Sequence, residues 1–223
     1  MHCQGLVFDL DGTLLDTLDD IVSAGNVALT ACGYPPHQRE AYRYFVGNGA
    51  DTLMARALPE GELGRLGPEG LVRLSKAMRK AYAEQEDRAT RPYEGIPELL
   101  KLLRERGLKS AVLSNKPHEA TMRVVGRFLA EHPFDVVQGA LPDAPLKPDP
   151  TLAFRVMEQL GLRPADIIYV GDSDVDMRTA RAAGLYAVGA AWGFRTPEEL
   201  RAAGADAVCA TPHDVRTLID SLC

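Results

Sequence analysis

The chain opens on a short apolar run, Gly5-Leu6-Val7-Phe8, that stops at the polar cluster Asp9-Leu10-Asp11-Gly12-Thr13. An apolar run closed by turn formers predicts a buried strand ending in a turn. Leu18, Ile21, Val22, Gly25, Ala28, Leu29 and Cys32 then follow helical spacing, until Gly33-Tyr34-Pro35-Pro36 stops the helix. Thr17 and Asp20 read as a T-x-x-D capping box at its start, and Asp16 offers a neighbouring cap. From there to about Tyr93 the pattern holds no convincing strand. Arg39–Val46 and Ala50–Leu58 predict short helices flanking Gly47-Asn48-Gly49. The stretch after Pro68 stays helical through Leu71, Leu74, Met78 and Tyr82.

From Arg91-Pro92-Tyr93-Glu94-Gly95 onward, helix and strand patterns alternate. Ile96, Leu99, Leu100 and Leu103 mark a helix, with Pro97 near its start and Gly107 at its end. Lys109–Ser114 reads as a strand, Glu119–Leu129 as a helix and Phe134–Gln138 as a short strand. Leu152, Ala153, Val156, Met157 and Leu160 form the stripe of another helix. Ile167-Ile168-Tyr169-Val170 has the clearest strand pattern and ends at Gly171-Asp172. A small-residue helix to Gly184, a strand Leu185–Ala190, a helix near Pro197–Ala203, a strand Ala207–Cys209 and a closing helix complete the series. Alternating βα units predict an α/β fold: a Rossmann-like, mostly parallel sheet covered by helices on both faces. The expected division is a core of residues 1–15 and 91–223, with an α-helical block, residues 16–90, inserted after the first strand. Ligands of such sheets bind beyond the carboxyl ends of the strands.

Composition narrows the class. The 223 residues are 46% hydrophobic and 25% charged, the balance of a globular chain rather than a disordered one. No apolar run approaches the ~20 residues that span a bilayer, so no membrane partner is expected. The N-terminus lacks a basic leader segment, so the mature protein is expected to start here and to stay in the cytoplasm. Cys3, Cys32, Cys209 and Cys223 are scattered and form no C-x-x-C pair, which fits reduced thiols. A net charge of −6 without a basic block disfavours nucleic acid as a partner. It also means that an anionic substrate would need a cation or local positive charge.

Four polar clusters fall at strand ends or in the loops that follow them. In Asp9-Leu10-Asp11-Gly12-Thr13, residues i and i+2 of an extended chain project to one side. Two carboxylates placed so are a costly pair unless a metal or a proton separates their roles. Ser114-Asn115-Lys116 offers a hydroxyl and backbone amides that can hold phosphate oxygens. Lys147-Pro148-Asp149-Pro150 supplies a lysine at a helix start. Gly171-Asp172-Ser173-Asp174-Val175-Asp176 places three acids where they can complete an oxygen-ligand site for a hard cation. Each alone also reads as an ordinary turn or an acidic first helical turn. Together they supply the parts of phosphoryl transfer: acids for a cation, a lysine, a hydroxyl and a spare carboxylate.

In this order, D-L-D-G-T-L, V-L-S-N-K, L-K-P-D-P and V-G-D-S-D-V-D-M resemble the four motifs of the haloacid dehalogenase superfamily. The helical insertion resembles that superfamily's α-helical cap. Tyr44-Phe45-Val46-Gly47-Asn48-Gly49-Ala50 and Arg56-Ala57-Leu58-Pro59 resemble the cap of phosphoglycolate phosphatases in particular. The resemblance implies a Mg2+-dependent phosphatase, with Mn2+ suiting the same oxygen ligands. Asp9 would be the nucleophile and Asp11 the general acid, then base. Asp9, the backbone carbonyl of Asp11, and Asp172 would hold the metal, with Asp176 a ligand through water or an orienting group behind it. Ser114, the Asn115 backbone and Lys147 would hold the phosphoryl oxygens. Gly47, Asn48 and Gly49 would meet the substrate's carboxylate when the cap closes. No catalytic role is implied for Asp174.

The expected partner is therefore a small phosphorylated metabolite, 2-phosphoglycolate first, handled by a monomer or homodimer. Within the same superfamily the alternatives are a pyrophosphatase, a nucleotidase, and a sugar-phosphate phosphatase or phosphomutase. A phospho-accepting signalling module is the alternative of a different class, opposed by D-x-D-G-T on the first strand and by the large insertion. A dinucleotide-binding dehydrogenase is disfavoured, because the first strand leads into D-L-D-G-T and not G-x-G-x-x-G.

Overall fold

The computed structural model describes residues 3–85 and 88–222. In chain order the strands are β1 (Gly5–Phe8), β2 (Leu15–Asp16), β3 (Arg91–Pro92), β4 (Lys109–Pro117), β5 (Val136–Ala140), β6 (Ile167–Gly171), β7 (Tyr186–Ala190) and β8 (Ala207–Cys209). The helices are α1 (Leu18–Ala31), α2 (Arg39–Phe45), α3 (Gly49–Ala57), α4 (Glu62–Glu84), α5 (Ile96–Glu105), α6 (His118–Phe128), α7 (Thr151–Leu160), α8 (Asp174–Ala183), α9 (Pro197–Ala202) and α10 (Pro212–Leu222). The chain forms two compact units. One is the chain up to Leu15 and from Pro92 on, and the other is Asp16–Arg91.

The first unit is an α/β sandwich around a six-stranded sheet of order β5-β4-β1-β6-β7-β8, with every pairing parallel. β1 is central, with Gly5 to Phe8 in register against Lys109 to Val112 on one side and Ile167 to Val170 on the other. Its alternation divides the core. Leu6 and Phe8 pack with Ile96, Leu99, Val112 and Val170 on one face, and Val7 packs with Ala111, Val156 and Tyr169 on the other. Both faces are apolar because helices cover both. β1 pairs with β4 on one side and β6 on the other, so chain direction through the sheet reverses at β1. In open α/β sheets this switch point is where ligands bind, beyond the carboxyl ends.

The second unit is helical, apart from Asp16 and Arg91, which belong to the short β2–β3 pair that the apolar pattern did not predict. Asp16 is also held by charge, with Arg91 at 3.2 Å and Arg39 at 3.9 Å. The expected capping box at the start of α1 is absent, and Thr17 Oγ1 is buried without a hydrogen-bond partner. The Asp20 carboxylate instead accepts from Thr90 Oγ1 at 2.6 Å and from the amides of Thr90 at 2.8 Å and Ala89 at 3.1 Å. These donors lie some 70 residues away, where a local motif cannot register them. α4 starts at Glu62, before Pro68, because a break at Gly67 (φ 66°, ψ 175°) lets a short helical turn join the long one.

Among the described residues no helix is long and apolar enough to cross a membrane. Cys3, Cys32 and Cys209 are thiols, as expected, and Cys223 lies outside the described residues.

Candidate active site

Asp9 directly follows β1, and its amide donates to Val170 O at 2.9 Å, which extends the sheet ladder by one residue. The chain then folds back. Thr13, Leu14 and Leu15 amides all donate to Leu10 O, and Gly12 N donates to Leu15 O. Gly12 sits at φ +87°, and a Cβ there would lie 2.4 Å from Asp172 Oδ2. Glycine is thus needed at this position for both conformation and space.

Asp172 follows β6 in the same way. It accepts from Phe194 N at 2.8 Å and from Thr13 Oγ1 at 3.3 Å. Asp176 lies on the first turn of α8 and closes a capping box with Ser173, accepting from Ser173 Oγ at 2.6 Å and Ser173 N at 3.1 Å. The acidic helix start and the candidate cation site, alternatives in the sequence, are therefore one structure. Asp174, given no role, is separate and pairs with Arg178.

Carboxylate oxygens of Asp9, Asp172 and Asp176 lie within 4.8 Å of one another, and all three residues are buried. Lys147 joins this cluster. Its Nζ lies 2.7 Å from Asp176 Oδ1 and 2.9 Å from Asp9 Oδ1, and it donates to Leu113 O and Tyr169 OH, each at 3.1 Å. The lysine backbone is pinned by the Asn115 side chain, which donates to Lys147 O at 3.0 Å and accepts from Lys147 N at 2.8 Å. Ser114 Oγ accepts from Lys116 N at 3.2 Å. Ser114 lies in the strand, as expected, and β4 runs on through Asn115 and Lys116 to Pro117, with the register against β5 shifting between Leu113 and Pro117. The irregularity keeps the residues extended while turning their side chains toward the site.

Asp11 does not share the three-carboxylate cluster. Its two oxygens accept from Lys116 Nζ at 2.7 and 2.8 Å, a pair almost closed to solvent. In sequence Lys116 was part of a candidate cluster but had no role of its own. Tyr169 and the Gly193-Phe194 backbone were also missed. Tyr169 was legible as the one hydroxyl in an otherwise aliphatic strand. Gly193 was not, since nothing in the sequence shows that a Cβ there would meet Asp172 Cβ and Gly12 O, each at 2.3 Å. Trp192, also without a role, donates from Nε1 to Thr13 O at 2.9 Å and so braces the turn.

The electrostatics follow from burial. Burial pushes the Asp9 carboxyl up to about 7; Lys147 opposes this, while Asp176 and Asp11 add to it. Burial, with the charges of Asp176 and Asp9, holds Asp172 well above the usual carboxylate range, against the Phe194 amide and Arg195. Burial would discharge Lys147, but Asp176 and Asp9 outweigh it and keep the ammonium protonated well above its ordinary range. Asp9 Oδ1 is close enough to Lys147 for an ion pair, yet the approach lies outside hydrogen-bond geometry, so this buried oxygen has no hydrogen-bond partner. An all-oxygen donor set with excess negative charge and an unsatisfied buried oxygen fits a hard divalent cation.

In the second unit, Gly47 (φ 124°) and Gly49 (φ 80°) bracket Asn48 between α2 and α3. Arg56 fastens this turn, donating to Asn48 Oδ1 at 2.8 Å, Phe45 O at 3.2 Å and Tyr44 O at 3.3 Å.

The fold and this donor set define a Rossmann-like α/β protein whose switch point carries a buried acidic site with one embedded lysine. Residues 6–190 match the family model of haloacid dehalogenase-like hydrolases. The chain is 35% identical over 190 residues to a phosphoglycolate phosphatase of Pseudomonas putida, covering 85% of this chain and 70% of that protein. It is also 35% identical over 190 residues to a phosphoglycolate phosphatase of Mannheimia succiniciproducens, covering 84% and 85%. A solved structure from Lactobacillus delbrueckii, provisionally assigned as a phosphoglycolate phosphatase, superposes with a TM-score of 0.90 at 29% identity, over 98% of this chain and 99% of that one. A hydrolase from Pseudomonas syringae superposes with a TM-score of 0.80 at 27% identity, over 98% and 99%. The chain belongs to the haloacid dehalogenase-like hydrolases, and within them it is a phosphoric monoester hydrolase.

Proposed function

We propose that the protein is a Mg2+-dependent phosphatase acting on 2-phosphoglycolate through an aspartyl-phosphate on Asp9. The observation that carries this is the three-carboxylate cluster, in which the buried Asp9 Oδ1 has an ion-pair partner in Lys147 but no hydrogen-bond partner. Asp9, the Asp11 backbone carbonyl and Asp172 would hold the metal, and Asp176 would orient it. Bound there, Mg2+ (or Mn2+) would supply positive charge opposite the transferring phosphoryl oxygens.

The chain's own groups account for the rest. An Asp9 oxygen forms a bond to phosphorus as the ester P–O bond breaks, and Asp11 gives a proton to the departing alkoxide. Water then attacks the aspartyl-phosphate while Asp11 takes its proton. The bond between phosphorus and Asp9 breaks, inorganic phosphate leaves and the Asp9 carboxylate is restored. Lys147, Ser114 and the Asn115 backbone hold the phosphoryl oxygens, and Asp176 keeps the lysine aligned. Asp16–Arg91 is the cap, and the amides of its Gly47-Asn48-Gly49 turn are assigned to the substrate's carboxylate, since paired positive-φ glycines let backbone approach an anion.

The test is phosphate release from a panel of phosphomonoesters with Mg2+, for the full chain and for D9N. Turnover of 2-phosphoglycolate that D9N abolishes supports the reading. No activity across the panel sinks it, and better activity on pyrophosphate, a nucleotide or a sugar phosphate sinks the substrate assignment alone. A stable phospho-Asp9 without turnover marks a signalling module instead.

A further inference from the structure

The two oxygens of Asp11 are both engaged by one ammonium, that of Lys116, at 2.7 and 2.8 Å. The lysine side chain is 9% exposed and the aspartate 14%, so this charge pair is largely shielded from solvent. Its position is set by the end of β4, two residues beyond Ser114 on the same strand. It is a second lysine at the site, distinct from Lys147, which faces Asp9 and Asp176.

The proposal rests on the phosphatase reading above, in which Asp11 must reach the bridging ester oxygen to transfer a proton. That reach is about 2.6–3.2 Å. An ammonium one hydrogen bond further on then lies within about 6 Å of the bridging oxygen. In a phosphate ester of a 2-hydroxy acid, the carboxylate oxygens sit three covalent bonds from that same oxygen, within about 4 Å. Once Asp11 has given up its proton, such a carboxylate stands beside the Asp11 carboxylate, and two like charges at that spacing repel strongly unless a cation lies between them. An ammonium has only donors to offer, and a carboxylate is the partner it suits.

We propose that Lys116 is the core's specificity residue, whose ammonium, seated on Asp11, binds the carboxylate of the leaving group and so selects phosphate esters of short 2-hydroxy acids over neutral esters of the same size. In this arrangement the leaving group's own charge is read within hydrogen-bond distance of the acid that releases it. An ester with a hydroxymethyl group in place of the carboxylate forfeits that contact.

The experiment compares 2-phosphoglycolate with 2-hydroxyethyl phosphate, its neutral analogue, as substrates of the full chain with Mg2+. The measured quantity is the ratio of the two kcat/KM values. Wild type is expected to favour the carboxylate, and K116M to lower the ratio by about 10–100-fold, the worth of one charged hydrogen bond. K116R, which keeps the charge, should retain most of the preference. K116Q gives the same reading as K116M if the latter is too slow to measure. A role confined to holding Asp11, or to the fold, lowers both rates alike and leaves the ratio within threefold of wild type. That result overturns the proposal while leaving the phosphatase reading intact. Wild type that favours the neutral ester also overturns it, and wild type inactive on both esters removes the 2-phosphoglycolate assignment and this proposal with it.

Discussion

Lys147 is the group on which the charge balance of the buried site depends. Its side chain is 1% exposed, and its Nζ lies within 3.1 Å of two carboxylates, a carbonyl and a phenol. K147M keeps most of the stem volume, so the cavity contribution is small and the change is mainly the loss of charge. It leaves Asp9 and Asp176 buried without that counter-charge, and breaking a buried pair from one side costs about 3–5 kcal/mol. For a chain of this length each kcal/mol moves the melting midpoint by about 2–4 °C, which gives a fall of about 6–20 °C. The assay is calorimetric unfolding of the metal-free protein, wild type against K147M, D176N and the double variant. Because Lys147 and Asp176 touch at 2.7 Å, the double variant should be more stable than the two single losses predict, by about 0.5–3 kcal/mol. Millimolar Mg2+ should restore part of the loss by supplying the missing charge. A midpoint within about 2 °C of wild type, or strict additivity in the double variant, refutes the reasoning.

Two further outcomes follow from the same site. The folded protein holds a proton on Asp9 up to about pH 7, whereas the unfolded chain releases it near 3.8. This group's stabilisation is therefore fully present below the unfolded value and is lost as pH rises through about 7. Asp172, raised as well, acts in the same direction. The metal-free melting midpoint should fall over that window. D9N or added Mg2+ should flatten the fall, and a profile that neither changes contradicts the assignment. G193A places a Cβ 2.3 Å from both Asp172 Cβ and Gly12 O, neither of which can yield without moving the site. It should cost about 1–3 kcal/mol in unfolding experiments and lower Mg2+-dependent turnover, and unchanged values in both would refute the need for clearance at Gly193.

The strand-by-strand order of the core was legible because a parallel sheet buried on both faces needs unbroken apolar runs, as in Ile167-Ile168-Tyr169-Val170. The runs of β1 and β6 end where polar chemistry begins, so Asp9 and Asp172 could be picked out as positions, and Lys147 by its place before a helix start. Asp176 was legible too, since its capping role and its site role draw on the same helical turn. Where the sequence failed, the deciding partner was distant. Asp20 turns from Thr17 to donors at Ala89 and Thr90, and the short β2–β3 pair joins residues far apart in the chain.

The sequence by itself determined the inventory: an acidic chain, a parallel core, and four polar clusters in the order of phosphoryl-transfer chemistry. Only tertiary structure decided who faces whom. It divided the four site acids into a buried group of three, two of them paired with Lys147, and a separate pair, Asp11 with Lys116. It also made Asn115 a brace for the Lys147 backbone and Gly193 a clearance for Asp172. The reason is that local pattern fixes periodicity and termini, which are properties of neighbours in sequence. Ion pairing, desolvation and close approach depend on distances across the sheet that neighbours in sequence do not set.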